Sequence, residues 1–330
     1  SGLPFAEPGT YTLFTYTGTL GGDVSLLTVG NPQSGASYAF TNDTANSRIT
    51  LTIGNTSGGT SATWKNAVGG DWSIGSNWDS GSAPGGAGVT PLFGLAITSP
   101  ATVALGTAYT VGGLTFNNAS YGYTLSGGSL TFDNGASTPT ISVLSGTHAL
   151  DTTLNGSSGL AVTTAANATL VLSSNVVANT GFSLSQGTVE LRGNATVNGA
   201  TALAASTLLR VAATNATIST LTAQATAATT LSGTTSKLTV NQNADGTFAG
   251  VLRGDSGALV KSGTTALLFD APATVFSGRT DIVAGTLALK ATPLAGPVSI
   301  GASGTLTIQA AATNGLMGYY YSVAPNTNNF

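Results

Sequence analysis

Gly285-Thr286-Leu287-Ala288-Leu289 is followed, 19 residues on, by Gly304-Thr305-Leu306-Thr307-Ile308. Gly128-Ser129-Leu130-Thr131-Phe132 and Gly187-Thr188-Val189-Glu190-Leu191 carry the same form, and Leu170, Val189 and Leu208 again lie 19 apart. Each segment alternates apolar and small polar residues at period two, the pattern of a short strand with one buried face. A strand this short buries little alone. Stacked coil upon coil at about 4.8 Å per step, its apolar face joins a continuous core. A period near 20 filled by short strands and turns is the mark of a solenoid. Residues 101–310 at this spacing predict about ten coils and a rod core on the order of 50 Å long.

The rest of the chain reads the same way. Thr10-Tyr11-Thr12-Leu13-Phe14-Thr15-Tyr16-Thr17 and Ile49-Thr50-Leu51-Thr52-Ile53 alternate similarly, and helix signals are almost absent, so the expected class is all-β. The competing architecture is a β-sandwich, favoured most for residues 1–60. Asn-Gly pairs at 134–135, 155–156 and 198–199 suit hairpin turns in either design.

Composition narrows the function. Of 330 residues only 6% are charged, against about 25% in average domains. Like charges would stack on one another in successive coils and repel, so a solenoid disfavours them. The absence of Cys excludes disulfides, thiolate metal sites and a cysteine nucleophile. The single His148 excludes a two-histidine metal site, and nine cations with a net charge of −3 leave no basic stripe for nucleic acid. No apolar run reaches the roughly 18 residues of a membrane helix. Low charge and the lack of thiols suit an extracellular or bacterial cell-surface setting. Ser1-Gly2-Leu3-Pro4 has no charged and apolar leader, as expected of a processed end or a piece of a longer chain. Few titrating groups also predict a stability that responds little to pH.

Four regions are expected: a small N-terminal β segment over 1–60, a Trp- and Gly-rich cap and loop over 61–100, the solenoid over 101–310, and a strand with an Asn-rich tail over 311–330. Trp64, Trp72 and Trp78 all fall within the second region. They read either as the cover of the first coil or as rings that stack on a glycan.

Leu259-Val260-Lys261-Ser262-Gly263-Thr264-Thr265-Ala266-Leu267-Leu268-Phe269, then Phe276-Ser277-Gly278-Arg279-Thr280 and the strand ending at Leu289, resemble the autotransporter-associated β-strand repeat. The chain departs from that pattern at Thr265, Ala266 and Arg279. The resemblance covers roughly residues 61–310 and implies a right-handed parallel β-helix that is secreted or on a bacterial surface. Residues 9–53 resemble the closing segment of such a helix. Gly315-Leu316-Met317-Gly318-Tyr319-Tyr320-Tyr321 resembles the opening strand of a protective-antigen-type carbohydrate-binding module whose remainder is absent. A closing segment that comes first, before a helix without one, implies head-to-tail joining of copies or tandem units. Tyr11, Leu13, Tyr16, Tyr319, Tyr320 and Tyr321 are the expected contact residues.

The functional expectation is therefore a non-enzymatic structural unit of a surface fibre, filament or adhesin, partnered by itself, with no cofactor. The alternative is a β-helix that binds or cleaves polysaccharide, with surface polysaccharide as partner. His148 lacks a nucleophile-elbow motif and reads as a solvated or hydrogen-bonded turn residue. Paired carboxylates for glycoside cleavage are scarce: Asp71 and Asp79 lie among the tryptophans, Asp270 and Asp281 near Arg279 and Lys261. Arg279 and Asp281 read as a surface ion pair worth under about 1 kcal/mol. Asn241-Gln242-Asn243-Ala244-Asp245-Gly246 lacks calcium-loop spacing, and the Gly-rich stretch 81–88 lacks a phosphate-loop ending.

Overall fold

The computed structural model describes residues 9–30, 36–55, 61–271, 275–290 and 294–309. Two sheets form. Strands β1 (Gly9–Thr15), β2 (Ala36–Asp43) and β3 (Arg48–Asn55) make an antiparallel sheet in the order β1-β3-β2. From Gly70 to Gln309 every paired strand is parallel to its partner in the next coil, giving a parallel β-solenoid of about ten turns. Parallel pairing at every step rules out the sandwich for this region, because a sandwich needs antiparallel neighbours.

The core consists of columns of inward residues. One runs Leu114, Ile141, Val162, Leu184, Leu203, Ala223, Phe248, Phe269, Leu289, Ile308, each paired with the next one coil on. Another runs Val103, Leu125, Leu150, Leu172, Leu191, Val211, Leu231. Volume is balanced between coils: Phe132 sits opposite Gly156, and Gly156 opposite Ala178. Outside, small polar side chains form ladders, as between Thr163 Oγ1 and Ser185 Oγ at 2.7 Å and from Asn198 Nδ2 to Asn179 Oδ1 at 3.2 Å.

The glycine that opens each repeat has a steric cause. Gly128, Gly187 and Gly285 hold φ of +52°, +64° and +68°. A Cβ on any of them would overlap a carbonyl of the preceding coil: Thr107, Ala165 or Gly263. Only glycine permits both the left-handed turn and the close approach.

Three expectations need correction. Leu208 does not stack on Val189; Leu209 does, and Leu208 pairs with Thr188 on the outer face. The coil there is 20 residues long, and the extra residue is absorbed before Thr207, where Ser206 takes φ +60°. Burial fixes which residues face inward, so the register holds and the turn gives way. Asn155-Gly156 and Asn198-Gly199 make no hairpins but lie inside the strands Thr147–Gly156 and Ala195–Leu203. The cap region 61–100 also begins the solenoid, since Gly70–Asp71 pairs with Ala101–Ala104 and Leu92–Phe93 with Gly113–Asn117.

Some inward positions are polar. Thr229 stands between Leu209 and Leu252, fully buried, with no partner for its hydroxyl; Thr152, Thr201 and Thr280 are similar. A buried hydroxyl left unpaired costs roughly 1–3 kcal/mol. Thr229→Val keeps the shape and removes that cost. It is expected to raise stability by about 1 kcal/mol, read as a higher denaturation midpoint with an unchanged slope; a lower midpoint would show that the hydroxyl has a partner.

Candidate assembly surfaces

The two ends of the solenoid differ. At the N-terminal end Trp64, Trp72 and Trp78 are fully buried. Trp78 meets Trp64 edge-on at 5.0 Å and Trp72 at 4.9 Å, and all three rings pack against Phe93 of the first coil. Each indole N–H donates to a backbone carbonyl: Trp64 to Asn66, Trp72 to Pro84, Trp78 to Trp72. Asn77, also buried, donates to the Asp71 carbonyl and accepts from Asn66. The cluster is a lid over an apolar stack. The reading of Trp64, Trp72 and Trp78 as glycan contacts is thereby corrected, because no ring face is open to a sugar.

At the other end the last coil, Val298–Gln309, pairs with Arg279–Lys290 on one side only among the described residues. Its inward positions are open: Ile300 is 42% and Ile308 55% exposed. One coil earlier, Ile282 and Leu289 in the same columns are 1% and 3% exposed. A described strand with an unpaired edge and an apolar inner face is a template for strand or sheet addition.

The N-terminal sheet carries a partly exposed apolar face, on which Tyr11 and Phe14 are 37% and 49% exposed while Ile49 and Ile53 are already buried. Opposed residues share a face, so Tyr11, Leu51 and Phe40 lie together, as do Phe14, Ile49 and Asn42. The reverse face is small and polar, with Thr10, Thr52 and Ala39 aligned. Of the expected contact residues, Tyr11 is 37% exposed on the apolar face. Leu13 is displaced: a bulge between Thr12 and Phe14 makes it the extra residue and returns Phe14, 49% exposed, to the face of Tyr11. Tyr16 is half-buried and its hydroxyl donates to Asn42 Oδ1 at 2.6 Å, which fixes it in the sheet. Tyr319, Tyr320 and Tyr321 lie outside the described residues.

Other candidate groups are committed to the fold. Asp79 Oδ1 accepts from the Thr63 N–H, which holds its carboxyl below the usual range. Asp270 pairs with Lys290 and Asp281 with Arg279. In the Asn-rich loop, Gln242 is buried between the Leu221 N–H and the Ala244 carbonyl, Asn243 accepts from Thr220, and Asp245 accepts from the Ala266 N–H. The Gly-rich stretch 81–88 is tied down by Gly86 N–H to the Thr110 carbonyl and Gly88 N–H to the Asp133 carbonyl. Among the described residues no three His, Asp or Glu side chains cluster to hold a metal, and no helix is long and apolar enough to cross a membrane.

Two inward residues, Lys261 and His148, have polar ends. Lys261, between Val240 and Ile282 in a core column, is fully buried. Its Nζ donates to the carbonyls of Ser262, Gly263 and Ala284 at 2.8, 2.9 and 3.1 Å, and to no carboxylate among the described residues. Burial lowers its pKa. Its period-two position beside Leu259 was the available signal. His148 is likewise buried, in a strand rather than a turn, between Tyr123 and Leu170 in its column.

No protein family, curated protein or solved structure matches the chain. The resemblance drawn from Lys261, Gly263 and the Gly-Thr-Leu strands holds at the level of architecture: a parallel β-solenoid, compatible with β-helix repeat proteins.

Proposed function

We propose that this chain is a non-enzymatic, extracellular structural unit of the autotransporter-associated β-strand repeat type, joined head to tail in a surface fibre or adhesin. The observation that carries the reading is the inequality of the ends: one stack closed by three tryptophans, the other ending on exposed Ile300 and Ile308. The sheet of a second copy, with Tyr11, Phe14 and Phe40 on one face, supplies the missing cover. A contact between two different surfaces repeats without closing, and so builds a filament. Both surfaces lack charged side chains at these positions, so apolar burial drives the contact and added salt does not weaken it.

Sedimentation velocity over a hundredfold range of concentration tests this. Growth of elongated species with concentration, abolished by Ile300→Glu with Ile308→Glu, is expected. A single size throughout overturns it. So does a chain shortened after Gln309 that oligomerises when the full chain does not, because residues 310–330 would then be the cover.

A further inference from the structure

His148 is the only histidine in the chain, and its ring lies inside the solenoid, 1% exposed. It stacks on Phe116 at 4.9 Å and on Tyr123 at 5.9 Å. Both nitrogens are in use. Nδ1 accepts from the Tyr123 backbone N–H at 3.0 Å, and Nε2 lies 2.9 Å from the Ser145 carbonyl. A ring that accepts at Nδ1 must carry its proton at Nε2, so the fold selects one neutral tautomer. The Nδ1 bond spans two coils, from the start of Tyr123–Phe132 to Thr147–Gly156.

We propose that His148 is an acid-sensitive joint that holds the Trp-capped coils to the rest of the solenoid. Protonation at Nδ1 places a ring N–H against the Tyr123 N–H, donor facing donor, and puts a charge in an apolar stack. Among the described residues no carboxylate faces the ring, and only the Ser145 and Asn118 carbonyls favour its charged form. From the Gly113–Asn117 strand it meets Phe116; from the preceding coil Tyr123, whose phenol, pushed up to about 12 by burial, stays neutral; and from the following coil Leu170. On its own strand the carboxylate is Asp151, at an exposed position beside Ser126 of the preceding coil. Desolvation lowers the imidazole pKa, with the Ser145 and Asn118 carbonyls pulling weakly the other way.

The sign follows from linkage. The unfolded ring takes up a proton near 6.5 and the folded ring only at lower pH, so stability is complete above 6.5 and falls as pH drops below it. Neighbouring coils contact only each other, so the loss is local before it is global. The expectation of an almost pH-independent stability then applies to the coils beyond this joint.

The test uses the full chain. One histidine gives one imidazole Cε1–H resonance, so its titration needs no assignment. The expected midpoint lies below 6.5. Below that midpoint, amide exchange protection is expected to fall more than tenfold over residues 101–172 while residues 216–262 keep theirs. His148→Gln, which retains an acceptor and a donor but does not titrate, is expected to remove the acid step. A midpoint at or above 6.5, a loss spread evenly over all coils, or the same acid step in His148→Gln overturns the proposal. Should His148→Gln not fold, the titration and the regional pattern of the unaltered chain still decide it.

Discussion

Lys261→Ala is expected to destabilise the solenoid by about 3–5 kcal/mol, with the coils between 237 and 290 the first to lose exchange protection. Two losses add. The lysine stem fills a core position between Val240 and Ile282, and emptying such a position costs roughly 2–5 kcal/mol. Its ammonium also serves three carbonyls, of which Ser262's keeps another donor in Gln242 N–H. A buried acceptor stripped of its partner costs about 1–3 kcal/mol. Relief of the buried charge offsets part of this. Lys261→Met separates the contributions, since it keeps the stem and removes the donors. It should fall between the alanine variant and the parent; a methionine variant as stable as the parent would show that the three hydrogen bonds contribute nothing net.

Trp78→Ala is expected to cost about 3–5 kcal/mol, the range for a large aromatic cut from a core. Trp78 touches Trp64, Trp72 and Phe93 and donates to the Trp72 carbonyl, so its removal opens the lid and strands an acceptor. In a stack of nearest-neighbour contacts the damage begins at the end and works inward. Exchange and proteolysis should report fraying over residues 61–117 while later coils hold, together with a red shift in the emission of Trp64 and Trp72. A loss below about 1 kcal/mol would mean that the lid is not what closes the stack, because even a small core truncation costs about that much. The burial of all three rings also means that added glycans should leave the tryptophan emission of the parent chain unchanged.

How far the sequence reaches can be seen in single residues. Gly285 announced a left-handed turn, and Leu287 over Leu306 announced the stacking, because a stacked strand repeats its own inner residues. Leu208 misled, since a period counted in residues does not reveal where a turn takes in one more. At smaller scale, a bulge in β1 leaves Leu13 out of the ladder and sets Phe14 opposite Ile49, a register that alternation cannot show. The tryptophans were legible as a group and ambiguous in role, because composition gives an aromatic its size but not the direction from which it is covered.

The chain by itself determined that it is all-β, that it coils with a period near 20, and that it carries too little charge and no thiol for several kinds of chemistry. These follow from local alternation, steric demands on glycine and the repulsion of like charges in register. Tertiary structure alone decided that the His148 ring lies inside, that Phe14 rather than Leu13 pairs opposite Ile49, and that one end of the stack is closed while Ile300 and Ile308 are open at the other. Each of these depends on which coil a residue meets, and that is set by turn lengths and by the summed burial of the whole column, quantities that no single strand contains.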